Sequence, residues 1–185
     1  MTTQLAAAPI DTLEGNYPGE TAWIIGSGPS LAWLKPADIG YGPVIAINYA
    51  IQTVEPFDLE NPVYSMQKDQ RYCDTDYPIL SHTHESGKEG WGAYVFDNVS
   101  MGLAWNKPSL LSALSIAKLW GCARAVGLCF DSITRGDLAS YEGGRVIVKA
   151  CRGQYPIIGA WAKEWARMIS MPVEWRLVYP KEGVR

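Results

Sequence analysis

The sequence predicts one Rossmann-like α/β domain: a mostly parallel sheet of five to seven strands with helices on both faces. Three observations predict it. Apolar runs recur along the chain and stop at polar residues, as the strands of a buried parallel sheet do. One clear helix, Pro108 to Gly121, passes through a tight glycine turn straight into an apolar strand, which is half of a β-α-β unit. And 185 residues, 48% hydrophobic and 19% charged, suffice for one core but hardly for two.

The elements follow in order. Residues 1–20 are small, polar and punctuated by Pro9, Gly15, Pro18 and Gly19, which reads as an irregular N-terminal arm leading into a domain over 21–185. Thr21-Ala-Trp-Ile-Ile25 is the first strand, and Leu31-Ala-Trp-Leu34 suits the first turn or two of a helix after a glycine loop. Pro43 to Ile47 stops at Asn48, and Pro62 to Met66 stops at Gln67-Lys68-Asp69, so polar groups gather at one edge of the sheet. Tyr77 to His82 and Ala93 to Phe96 read as short strands. In the helix from Pro108, Leu111, Leu114, Ala117 and Lys118 recur at helical spacing, and Gly121 stands just past its end. Cys122 to Phe130 is the next strand, closed by Asp131. Residues 132–155 read as a polar lid or excursion that contains a small strand at Val146-Ile-Val148. Ile157 to Met168 carries Trp161, Trp165 and Met168 on one helical stripe, and Val173 to Val178 alternates like an edge strand.

Composition narrows the function classes. Sixteen Lys plus Arg against 19 Asp plus Glu give a formal charge of −3, against a nucleic-acid-coating protein or a polybasic membrane binder. No run reaches the ~18 apolar residues of a membrane span, and Met1 to Pro9 lacks the pattern of a secretory signal. Cys73, Cys122, Cys129 and Cys151 form no C-x-x-C pair, so they are expected to be reduced and structural in a cytoplasmic protein.

Gly26-Ser27-Gly28-Pro29-Ser30 is the most informative segment. Glycines let backbone approach a phosphate, and the N-terminus of a following helix offers free N–H groups and a positive dipole end. The segment is not the dinucleotide fingerprint: Leu31 stands where the third glycine belongs, Pro29 interrupts, and Asn48 replaces the acidic ribose ligand. Nor is it a P-loop, since no Gly-Lys-Ser/Thr follows. The alternative is that the glycines only make a tight turn.

Four ordered blocks carry a resemblance: Ile24-Ile-Gly-Ser-Gly-Pro-Ser-Leu31, Ile45-Ala-Ile-Asn48, Ser109 opening a small-residue helix, and Gly121 to Asp131. Together they resemble the bacterial sialyltransferase-like superfamily, glycosyltransferase family 42, and equally its relatives, which include hydroxymethylpterin diphosphokinase-like proteins. The resemblance implies a nucleotide site at the carboxyl edge of the sheet, taking a CMP- or UDP-type nucleotide or nucleotide-sugar, with Mg²⁺ as an optional participant. It assigns Gly26, Ser27, Gly28 and Ser30, with Pro29 among them, to the phosphate and ribose. Asn48 would contact the nucleotide, and Ser109 a phosphate. Asp131 matches the family's aspartate at a strand end, and Asp69 the one recurring in the diphosphokinase-like relatives.

The departures concern the acceptor side. The family's general-base histidine follows the strand ending at Asp131, yet 132–161 holds none; Arg152, Gln154 and Tyr155 occupy the region. An expected arginine is Asn106, with Lys107 beside it. The readings therefore are a glycosyltransferase-like enzyme with Asp131 or Asp137 as base and Lys107 stabilising the leaving group, a Mg²⁺-dependent pyrophosphoryl transferase using Asp69 and Asp131, or a non-catalytic nucleotide-binding protein. Among other groups, His82, His84 and Glu85 read as a polar loop start rather than a metal site. Trp161 and Trp165 read as core or a homo-oligomer interface, whereas Trp91 and Trp105 are the better candidates to stack on a sugar or base.

Overall fold

The computed structural model describes residues 7–68, 73–82, 92–104, 107–134, 139–142, 145–148 and 155–179, of which 134, 139–142, 145–148 and 155–157 are described by backbone alone. The strands are β1 (Ala8–Pro9), β2 (Thr21–Ile25), β3 (Val44–Ile47), β4 (Val63–Met66), β5 (Ile79–His82), β6 (Tyr94–Phe96), β7 (Arg124–Leu128), β8 (Ala139–Glu142), β9 (Arg145–Val148) and β10 (Val173–Arg176). The helices are α1 (Ala50–Val54), α2 (Ser109–Leu119), α3 (Asp131–Thr134) and α4 (Tyr155–Met168). Eight strands form one sheet in the order β1-β6-β5-β4-β3-β2-β7-β10, and every pairing in it is parallel.

The sheet has eight strands where the sequence predicts five to seven. The two-residue β1 pairs Ala8 with Tyr94 and Pro9 with Val95, and so short a strand containing proline has no periodicity to read. Residues 7–20 are accordingly more than an irregular lead-in. Ile10 and Leu13 are buried in the core, and the N–H groups of Gly15, Tyr17 and Gly19 donate to the carbonyls of Leu119, Trp120 and Gly121. Those are carbonyls that a helix C-terminus cannot satisfy for itself, so the arm caps α2. Gly121 permits that exit because its φ of +85 is left-handed.

Strand side chains alternate between the two faces of the sheet. Ile24, Ile45, Met66, Leu80 and Phe96 face one cluster with α2 and α4, while Ile25, Val44, Ala46 and Leu128 face the other with α1 and short 3-10 turns. In α2, Leu110 through Ala117 are all buried, because the helix carries no charge before Lys118 and is enclosed on all sides. Its serines are satisfied: Ser112 Oγ donates to Asn98 Oδ1 at 2.7 Å, and Ser115 Oγ accepts from Trp165 Nε1 at 2.8 Å. The segment after the glycine loop is a single 3-10 turn, Pro29–Trp33, rather than the start of an α-helix. Pro36 stops it, since a residue preceding proline is driven to extended backbone, as Lys35 is with φ −125 and ψ 155.

In the excursion after β7, β8 and β9 form an antiparallel hairpin outside the main sheet, where Arg145–Val148 includes the small strand expected at Val146. Among the described residues no helix is long and apolar enough to cross a membrane. Burial pushes the thiols of Cys122 and Cys129 up from the ordinary value of 9.0 to about 12. A folded-state value above the unfolded one means that the unfolded chain loses its protons first as pH rises. Stability is expected to hold below about pH 9 and to fall progressively toward pH 12, which urea titrations at successive alkaline pH values will measure.

Candidate functional site

From the central strand β2 the chain steps outward through β3, β4, β5 and β6, then returns through α2 to place β7 on the other side of β2. The loops leaving β2 and β7 therefore diverge at a topological switch point, and in open α/β sheets the crevice outside the carboxyl ends at such a point is where ligands bind. A cleft of about 170 Å³ lies there. Gly26, Ser27, Gly28, Asn48 and Ser109, which the sequence singles out from segments up to 83 positions apart (109 − 26), all line it. Phe130, Ile133 and Ile158 supply an apolar wall.

The glycine loop is organised by packing as much as by the cleft. Gly26 N–H donates to Leu128 O at 2.8 Å, and Gly28 N–H to Cys129 O at 2.9 Å. A Cβ on Gly26 would stand 2.7 Å from Cys129 O. One on Gly28 would stand 2.6 Å from the same oxygen and collide with the Asp131 carboxylate. Both positions need glycine because the β7 exit crosses them. The expected helix N-terminus is also absent here: Pro29 has no N–H, Ser30 N–H is turned to Asp131, and Leu31 N–H bonds Gly28 O. Pro29 opens the 3-10 turn and Ser30 is fully buried, so neither lines the cleft.

The helix N-terminus that does face the cleft belongs to α2. Its N-cap is Pro108, which makes no side-chain cap, and Ser109 and Leu110 line the cleft. Among the described residues neither of their N–H groups has a partner, while Leu111 N–H already bonds Pro108 O at 3.0 Å. Two uncapped donors and the positive end of an 11-residue helix thus meet the cleft. Across from them Asn48 holds φ 54, with its backbone N–H on Met66 O at 2.8 Å, and its buried Oδ1 has no hydrogen-bond partner. The cleft thereby offers donors suited to an anion beside an acceptor that needs a hydroxyl or N–H. Cys129, with φ 60, adds a second left-handed residue to the lining. For a side chain this costs about 1 kcal/mol, and such strain gathers at functional sites.

Asp131 is fully buried, and both of its carboxylate oxygens are engaged. Oδ2 accepts from Ser30 Oγ at 2.6 Å and Ser30 N at 3.1 Å, and Oδ1 accepts from the Tyr179 hydroxyl. It is a bolt joining the turn after β2, the β7 exit and the segment after β10. Lys107 sends its ammonium over the Trp161 ring, 4.0 Å from the centroid, rather than into the cleft. Asp69 lies outside the described residues, as do His84, Glu85, Trp91, Trp105, Asn106, Asp137, Cys151, Arg152 and Gln154; Tyr155 is described by backbone alone. His82 is buried, and its Nε2 accepts the Asn98 N–H at 3.2 Å.

Sequence reasoning missed Lys68 and Tyr179. Lys68 is 3% exposed, at the end of β4, and donates to Lys107 O at 2.7 Å, directly beneath the segment that opens α2. A lysine closing a buried strand is a legible signal, because such a charge is seldom taken from water without purpose. Tyr179 gave no signal, since its partner is 48 positions away. The chain matches no family model, no curated protein and no solved structure.

Proposed function

We propose that this protein is a glycosyltransferase-like nucleotide-binding protein that takes a nucleotide-activated sugar at the switch-point cleft. One observation carries the reading: uncapped α2 donors and the unpartnered Asn48 acceptor line the same cleft. A ribose phosphate has both the anion and the hydroxyls these groups need. At about 170 Å³ the cleft lies below the roughly 300–1,000 Å³ of a pocket that engulfs a whole ligand. It fits the phosphate and ribose, with the rest of the donor extending past the rim.

In the transfer, an acceptor oxygen bonds the sugar carbon while the bond from that carbon to the phosphate oxygen breaks, its electron pair leaving on the nucleotide. The α2 N-terminus, holding a phosphate of that nucleotide, offers its donors to the charge that the nucleotide gains. Among the described residues, the polar side chains lining the cleft are Ser27, Asn48, Ser109 and Ser132, none of them a strong base, and the departing phosphate is itself an acceptor for the incoming oxygen's proton.

Thermal-shift measurements with cytidine, uridine, guanosine and adenosine nucleotides, with and without Mg²⁺, test this. A Mg²⁺-independent rise with CMP or UDP is expected. A rise confined to ATP with Mg²⁺ would replace glycosyl by pyrophosphoryl transfer, and no rise with any nucleotide would end the reading.

A further inference from the structure

The side chains of Lys107 and Trp161 form a pair that the cleft itself does not use. Trp161 is 42% exposed, beside the core-facing Ala162 of α4, and the Lys107 ammonium rests 4.0 Å from its ring centroid. Both belong to the rim: Lys107 precedes Pro108 and Ser109, and Trp161 stands one turn after Ile158, all three of which line the cleft. Helical side chains lean toward the helix N-terminus, so at i+3 the Trp161 ring leans toward the cleft wall that Ile158 supplies. Its neighbour on the next turn, Trp165, is fixed to Ser115 of α2, so α4 holds Trp161 on a firm base.

We infer that Lys107 and Trp161 form a rim subsite for the second phosphate of a nucleoside diphosphate, with the indole face carrying the sugar beyond it. This rests on the proposed nucleotide site. The α2 N-terminus serves one phosphate, and the cleft has no room for more of the donor. Among the described residues, a second cation beside the segment that opens α2 is the Lys107 ammonium, held by the Trp161 ring instead of ranging through solvent. A ligand phosphate draws it off the ring as a charge-assisted hydrogen bond replaces the cation–π contact, and the freed indole face accepts the apolar face of a sugar ring. The subsite therefore favours a UDP-type donor over a monophosphate donor.

Calorimetric titration of the full chain with UMP, UDP and CMP linked to a carboxylated sugar tests the assignment. Wild type is expected to bind UDP on the order of tenfold tighter than UMP, the scale of one added charged hydrogen bond. Lys107→Met is expected to reduce that advantage to about twofold or less with UMP affinity unchanged, whereas Trp161→Ala, which removes only the contact that the phosphate displaces, is expected to leave the UDP-over-UMP ratio in place. Equal UMP and UDP affinities in wild type, or a UDP advantage that survives Lys107→Met, would overturn the subsite and leave the nucleotide site standing. A Lys107-dependent gain for the carboxylated CMP sugar without one for UDP would overturn the diphosphate assignment. Binding of none of the three would overturn the subsite and the nucleotide site together.

Discussion

Asp131→Ala is expected to destabilise the protein by roughly 4 kcal/mol, lowering the melting temperature by about 10 °C. The substitution removes the carboxylate that accepts from two buried donors, the Ser30 N–H and the Ser30 hydroxyl, and from the part-buried Tyr179 hydroxyl. Each orphaned donor costs about 1–3 kcal/mol, and the vacated volume adds to that. Asp131→Asn keeps the volume and part of the hydrogen bonding, so about half the loss is expected. Urea denaturation followed by circular dichroism reads both values. An Asp131→Ala protein with unchanged stability and abolished turnover would instead make this carboxylate a reacting group.

Gly28→Ala is expected to cost about 3 kcal/mol through steric conflict alone, since φ at this position is −69 and suits any residue. The new methyl meets Cys129 O at 2.6 Å and the carboxylate that Ser30 holds, and neither is the loose end of a flexible side chain. Part of this penalty belongs to the carboxylate. In an Asp131→Ala background the Gly28→Ala cost should therefore shrink by about 1–2 kcal/mol, a coupling that a double-mutant cycle measures. Strict additivity would contradict the packing described for this loop. Gly15→Ala makes the contrast: nothing lies within 4 Å of its added carbon, and only the left-handed φ of +68 costs it, by about 1 kcal/mol.

What the sequence could and could not reveal follows from the range of the forces. The parallel strands and α2 are legible because burial on both faces leaves near-continuous apolar runs, such as Thr21–Ile25, and because Gly121 marks a helix end locally. The convergence of the glycine loop, Asn48 and Ser109 on one cleft also follows once those runs are placed in a parallel sheet, since all three stand at its carboxyl edge. Leu31–Leu34 reads as the start of a helix because its apolar spacing is helical, and Pro36 stands three residues beyond the 3-10 turn that forms instead. The docking of residues 7–20 is not legible in the sequence, because it depends on carbonyls at the end of α2 about a hundred positions away. The stripe reads Trp161 as core or a homo-oligomer interface, and its 42% exposure takes it out of this chain's own core, because a period places a residue on a helix face without saying how far the packing extends. Lys107 looked like a leaving-group stabiliser by its neighbours, and only the position of Trp161 shows where its ammonium rests.

The most direct test of the account is nucleotide binding to a Ser109→Glu variant. A carboxylate at the first position of α2 favours the helix through its dipole by about 0.3–1 kcal/mol, so the melting temperature should hold or rise slightly, while its charge repels a phosphate at the same N–H groups. The stabilisation by CMP or UDP expected of wild type should disappear in this folded variant. Undiminished stabilisation of Ser109→Glu by the same nucleotides would place the phosphate elsewhere and contradict it.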